Sequence, residues 1–347
     1  MYRKIYLAYF CGKFINMKRI RHTFLLTLIL IVLQACNLPA ASTPTPDLIA
    51  TLSDSTPLPT DLSHQPNNPI PATGELGGKI AFVCQIFKVQ ASNQICLINA
   101  DGTGFRRLTT DNTRQHYYPS ISPDGNSVVY AAFREPNIYE IYEMDIATGI
   151  TTQLTDRLGN LNGPEISPDG TTIAFKLSTP NSNQIWLMDR DGKNPRSIPN
   201  ASGWDPTWSS DGDSILFASD MQGLIQLYKI KLDGSELQKV SDLPAIRGRS
   251  DWSPDGVFIV TYSGEPWKRD VYIMNSDGSN ARRLTPTGGN SQGPSISPDG
   301  QWVAFTSYFD HYGDDNGCEI YIMRVDGTDV RRLTDNDYCD YQPRWGP

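Results

Sequence analysis

The residues equipped for chemistry are few and far apart in this chain. Gly289-Asn290-Ser291-Gln292-Gly293 matches G-x-S-x-G, a pattern in which a nucleophilic serine sits on a tight strand-to-helix turn. Here the pentad falls in a connecting loop with no helix-forming run behind it, so the match reads as accidental. After residue 76 histidine occurs only at His116 and His311, which gives general-base chemistry few candidates. The stretch Tyr308 to Gly317, YFDHYGDDNG, together with Glu319, gathers hard oxygen donors at Asp310, Asp314, Asp315 and Asn316. It fails the EF-hand spacing, with Tyr312 where the first ligand belongs, and reads as a solvated acidic loop. Neither a metal nor a cofactor is expected.

The elements that must position these residues are set by a repeat. A Pro-Asp-Gly or Ser-Asp-Gly turn places its glycine at Gly125, Gly170, Gly212, Gly256 and Gly300, with spacings of 45, 42, 44 and 44. A second phrase follows each turn: IYEMDIATG, IWLMDRDG, LYKIKLDG, VYIMNSDG or IYIMRVDG, often leading into RRLT or a relative. Each unit therefore reads as four strands. The first is PxIS or PTWS, the second a short apolar run such as Ile173-Ala174-Phe175, the third the alternating phrase, and the fourth the segment ending near Leu-Thr. Four antiparallel strands per unit of roughly 44 residues make a propeller blade.

The Asp-Gly or Thr-Gly that closes the third strand occurs six times, yet the first unit opens at Gly77-Gly78-Lys79-Ile80 with no PxIS phrase before it. That phrase stands at the other end, as Tyr341-Gln342-Pro343-Arg344-Trp345-Gly346-Pro347. The expected fold is all-β: a six-bladed β-propeller of four-stranded antiparallel blades over residues 77–347, closed by the C-terminal strand completing the first blade.

These phrases resemble the WD40-like PD40 repeats of the TolB family of six-bladed propellers, repeats also found in the propeller domains of tricorn and prolyl oligopeptidase-type peptidases. The resemblance covers about residues 77–347 and is specific because the pattern recurs. It implies a role chiefly in protein binding, as in periplasmic TolB, which binds a peptidoglycan-associated lipoprotein. The chain departs from TolB in showing no α/β domain ahead of the repeats and in carrying a lipoprotein-like leader, so that particular partner is not carried over.

On such a blade the short, stereotyped turns lie on one face and the long, varied connections on the other, where function is sought. Candidate binding residues on that face are His116, Tyr117 and Tyr118 in the connection 110–118, Trp204 and Asp205 near 203–205, Arg249, and Tyr312 in the acidic loop. Aromatic rings interleaved with charge suit recognition of a polar partner. The first strands also share one polar position, filled by Ser120, Glu165, Thr207, Asp251, Ser295 and Arg344. Facing the channel, it would put Glu165, Asp251 and Arg344 in a ring around a narrow opening, either as solvated structure or as a small-ligand site.

Ahead of the repeats, Lys18-Arg19-Ile20-Arg21, the ten-residue apolar run Phe24–Leu33 and Leu33-Gln34-Ala35-Cys36 read as a secretory signal with a lipobox, Cys36 being the lipidation site and Met17 a possible start. Residues 1–36 are thus a leader and 37–76, rich in Pro, Ser and Thr, a disordered tether. Outside the leader, Cys84 with Cys96 and Cys318 with Cys339 are expected as disulfides in an exported protein, with four buried free thiols as the alternative. A formal net charge of −8 argues against nucleic acid. The expectation is a monomeric, non-catalytic binding scaffold, lipid-anchored at a bacterial membrane in the periplasm or on the cell surface, that recognises an envelope protein or cell-wall glycan. The competing reading is a propeller hydrolase or lyase acting at the channel mouth on glycan or peptide.

Overall fold

Six repeated units in sequence become six sheets in space. The computed structural model describes residues 76–86, 92–135, 138–246 and 248–347. The leader with Cys36 and the tether up to residue 75 lie outside the described residues. Among the described residues the strands β1 to β24 form six four-stranded antiparallel sheets, each the blade of a propeller.

The innermost strands are β4 (His116–Ile121), β8 (Asn160–Ile166), β12 (Trp204–Trp208), β16 (Asp251–Trp252), β20 (Gln292–Ile296) and β24 (Asp340–Gly346). Each pairs with a second strand: β5 (Ser127–Glu135), β9 (Thr172–Thr179), β13 (Ser214–Ser219), β17 (Phe258–Ser263), β21 (Trp302–Ser307) and, for β24, β1 (Lys79–Gln85). Third strands, such as β2 (Asn93–Asn99) and β22 (Glu319–Arg324), and short outer strands such as β3 (Arg106–Arg107) complete the blades.

Two polar devices recur and explain why the blades are so regular. At each first turn a serine hydroxyl binds the aspartate two residues on, as in Ser122 Oγ to Asp124 Oδ1 at 2.5 Å, and receives the N–H of the next strand, as from Ser127 at 2.9 Å. The glycine between them takes a positive φ, 70° at Gly125, which a side chain would resist. At the other end, a Thr or Ser hydroxyl clasps the start of the third strand. Thr109, Thr155, Ser241, Thr285 and Thr334 accept the N–H groups of Ile95, Ile141, Leu227, Val271 and Ile320 at 2.8–3.0 Å.

Between the blades the core is apolar. Phe82, Phe175, Phe217 and Phe305 fill one register position of the second strands and are buried, each contributing roughly 2–3 kcal/mol of burial. The ring closes where Trp345 of β24 pairs with Ile80 of β1 and its Nε1 donates to the Gly77 carbonyl at 3.0 Å. Disulfides join Cys84 to Cys96 and Cys318 to Cys339, with Cα atoms 5.8 and 4.5 Å apart. Among the described residues no helix is long and apolar enough to cross a membrane.

Candidate functional site

Each innermost strand enters the channel from the long-connection face, and its sequence decides what it exposes there. Five of the six carry a proline, at Pro119, Pro164, Pro206, Pro294 and Pro343. Proline cannot donate to the neighbouring strand and bars the residue before it from the right-handed helical region. The chain answers with a bulge: pairing shifts register between Tyr117 and Ser120, Asn162 and Glu165, Trp204 and Thr207, and Gln292 and Ser295. The residue before each proline is left-handed, with φ of 56° at Tyr118, 60° at Gly163, 52° at Asp205, 60° at Gly293 and 55° at Gln342. Glycine takes this conformation freely, whereas Tyr, Asp and Gln hold it at a cost of roughly 1–3 kcal/mol each. In the remaining blade Ser250 replaces the proline and Arg249 stands at the same place.

Five of these six positions meet at the channel mouth. Tyr118, Asp205, Arg249, Gly293 and Gln342 line a cavity of 360 Å³, joined by Lys176, Tyr262 and Thr306 from the second strands. Trp204, Gln292 and Tyr341, each one residue earlier on its inner strand, complete the wall. The volume suits a small group rather than a whole domain. A larger cavity of 620 Å³ beside Glu135, Arg157 and Asn160 gathers none of the channel's charged side chains.

Two residues deeper lies the ring position. Arg344 Nη2 donates to Glu165 Oε2 at 2.6 Å, and its Nη1 lies 3.0 Å from Asp251 Oδ2. Thr207 donates to Glu165 at 2.9 Å, while Ser295 Oγ and the Ile296 N–H donate to Asp251 at 2.8 and 2.9 Å. This is a buried floor and not a solvated ring, since Arg344 is 4% exposed.

Electrostatics at the mouth follow from burial. Burial raises the Asp205 carboxyl above its usual range, although Arg249 opposes this. Burial, reinforced by repulsion from Arg344, lowers Arg249 to about 10, and burial also lowers Lys176. Glu165 is pushed up to about 7 by burial against the pull of Arg344. Burial thus works against the charged form of Asp205, Arg249 and Lys176 at the mouth.

Residues 72–307 and 236–347 match the model of the TolB beta propeller domain, and together these matches take in all six blades. The chain belongs to the TolB β-propeller family. It is similar to an uncharacterised Agrobacterium fabrum protein, 34% identical over 168 residues, covering 44% of this chain and 56% of that one. The Tol-Pal system protein TolB of Francisella tularensis is 30% identical over 195 residues, covering 54% of this chain and 45% of that protein. Among solved structures, TolB from Acinetobacter baumannii superposes with a TM-score of 0.69 at 26% identity, over 79% of this chain and 68% of the other. The chain spans about half the length of the curated relatives it matches.

In this TolB-family propeller the residues expected on exposed loops divide into two groups. Tyr118, Trp204, Asp205 and Arg249 line the mouth, but from inner strands or directly beside them rather than from loops. His116 is a correction. At 4% exposure it lies inside β4, with Nδ1 3.2 Å from the Asn93 carbonyl, and burial lowers it to about 4. The inner strand begins earlier than its proline suggested, which draws His116 into the blade. Tyr117 bonds Asn93 through its hydroxyl at 2.8 Å and packs on Tyr139. Tyr312 is exposed, bonds the Trp267 carbonyl and does not line the cavity.

Ser291 of the G-x-S-x-G match is fully buried, 3.0 Å from Ser307 Oγ, and precedes a strand. In the acidic loop Asp310 is taken by Tyr321 and Arg332, and Glu319 by Thr334 and Asn336. Inner-strand alternation did not reveal Gln342, Gln292 or Tyr341, nor did the apolar second strands reveal Lys176, Tyr262 or Thr306. The place before each proline was the signal that could have found the first of them.

Proposed function

We propose that this protein is a non-catalytic, extracytoplasmic binding scaffold, tethered through Cys36, that takes an envelope partner at the mouth of its propeller channel. The observation that carries this reading is the convergence of one inner-strand position from five of the six blades on a single cavity, with Tyr118, Asp205 and Gln342 held in left-handed conformations to do so. Strained backbone at non-glycine residues persists where a site must be pre-organised. Membership of the TolB family and similarity to a Tol-Pal system protein support an envelope partner. Two disulfides support an oxidising compartment, and the leader sequence supports the anchor.

The test is retention of detergent-solubilised envelope fractions on immobilised protein. The wild type should retain a discrete component, and Trp204→Ala with Tyr118→Gly should release it while the melting profile stays cooperative. Failure of the wild type to retain any component would sink the proposal.

A further inference from the structure

Arg249 is held so that half of its guanidinium is unused. Nη2 donates to the Pro119 carbonyl at 2.7 Å, and the guanidinium lies 5.9 Å from the ring centre of Tyr118. Nη1 has no hydrogen-bond partner among the described residues, in a side chain only 8% exposed. Thr306, fully buried on β21, lines the same cavity, and its Oγ1 is also without a partner. Buried donors left unmet are costly, and more so when charged. Two at one cavity point to a ligand that satisfies both.

We propose that the cavity receives the carboxylate of an acidic peptide segment, with Arg249 Nη1 donating to one oxygen and Thr306 Oγ1 to the other. The proposal rests on the binding-scaffold reading and names the chemical group that enters. One free guanidinium nitrogen and one hydroxyl match the two oxygens of a carboxylate, and a phosphate dianion would bring a second charge with fewer donors to meet it. Lys176 adds positive charge to the wall. Gln292 and Gln342, whose side-chain oxygens already accept from Arg269 and the Tyr118 N–H, have amide NH2 groups to donate to a peptide carbonyl, while Tyr118, Trp204 and Tyr341 give apolar faces for its flanking atoms. Asp205 is the one carboxylate among the described residues lining the cavity. Burial raises its carboxyl above the usual range, while Arg249 and Lys176 pull the other way.

The test is calorimetric titration of the full chain with the capped peptide Gly-Gly-Glu-Gly-Gly, its Gln counterpart, and glucuronate. The Glu peptide should bind at least about tenfold tighter than the Gln peptide, a difference of about 1.4 kcal/mol. Arg249→Met should erase that preference, Arg249→Lys should keep part of it, and Thr306→Val should weaken the Glu peptide alone. Thr306→Val and Arg249→Lys decide the matter if Arg249→Met fails to fold. Equal binding of the two peptides, no binding of either, or a preference untouched by these variants would overturn the proposal, and glucuronate binding above the Glu peptide would replace it with an acidic glycan. Envelope retention that survives Arg249→Met leaves the scaffold standing and removes the carboxylate. Absence of retention by the wild type removes the scaffold, whatever the peptides do.

Discussion

Arg344 on the last strand donates to Glu165 on the third blade at 2.6 Å, across 179 positions of sequence. The same guanidinium reaches Asp251 of the fifth blade at 3.0 Å, so the closing strand is held from inside the channel as well as by its pairing with β1.

A buried ion pair is weak evidence of net stability, but breaking one strands its partners. Arg344→Met should therefore cost about 3–5 kcal/mol, read by chemical denaturation. Adding Glu165→Gln and Asp251→Asn should recover much of it, because the carboxylates no longer lie unpaired. A triple variant as unstable as the single one would contradict the assignment.

Cys318–Cys339 fastens the segment before β22 to the segment before β24, closing a separation of 21 residues. Removing it as Cys318→Ala with Cys339→Ala should cost about 3 kcal/mol through the unfolded chain. The denaturation midpoint should fall accordingly, and a midpoint equal to that of the oxidised wild type would argue that the bridge is idle.

Stability should depend on pH in two opposite ways. Asp340 is buried beside Glu319, and burial followed by that neighbour's charge pushes it from 3.8 to about 8. A raised acid favours the fold while protonated, so its contribution is complete below about 4 and is lost as pH rises through about 8. Asp340→Asn keeps an acceptor for Asn336, which donates at 2.9 Å, and removes the titration. Its melting temperature should match the wild type near pH 4 and exceed it by about 2 °C or more near pH 9. His116 acts in the reverse sense: burial lowers it from 6.5 to about 4, so its contribution is present above 6.5 and lost as pH falls through 4. A melting difference for Asp340→Asn that does not vary with pH would rule out the titration.

The left-handed mouth positions make a backbone prediction. A Cβ added at Gly293 would have no heavy atom within 4 Å, so Gly293→Ala isolates the conformational cost. That cost should be about 1 kcal/mol. At Tyr118 the order of Ala and Gly should likewise invert, with Tyr118→Gly more stable than Tyr118→Ala by about the same amount. Equal stabilities would mean that these residues relax out of the left-handed region.

Blade number and ring closure were legible because the Ser-Pro-Asp-Gly turn and the Asp-Gly after the third strand recur with their own hydrogen bonds. The ring of Glu165, Asp251 and Arg344 was legible too, since each falls one residue after the proline position. The mouth was harder. Prolines seemed to mark where inner strands begin, yet β4 starts at His116 and β24 at Asp340, so strand residues passed for loop. Lys176, Tyr262 and Thr306 share their register position with Val83, Ala131 and Ala218, which made the place look like plain core. In three dimensions that position stands on the wall of the cavity.

The central claim is that recognition happens at the channel mouth. The most direct test places a photo-crosslinking amino acid at Gln342, which lines the cavity, and separately at Ile150, which is 68% exposed on a tight-turn hairpin of the opposite face. Irradiation in the presence of envelope extract should give a discrete adduct from position 342 and none from position 150. Adducts from 150 alone would contradict the account.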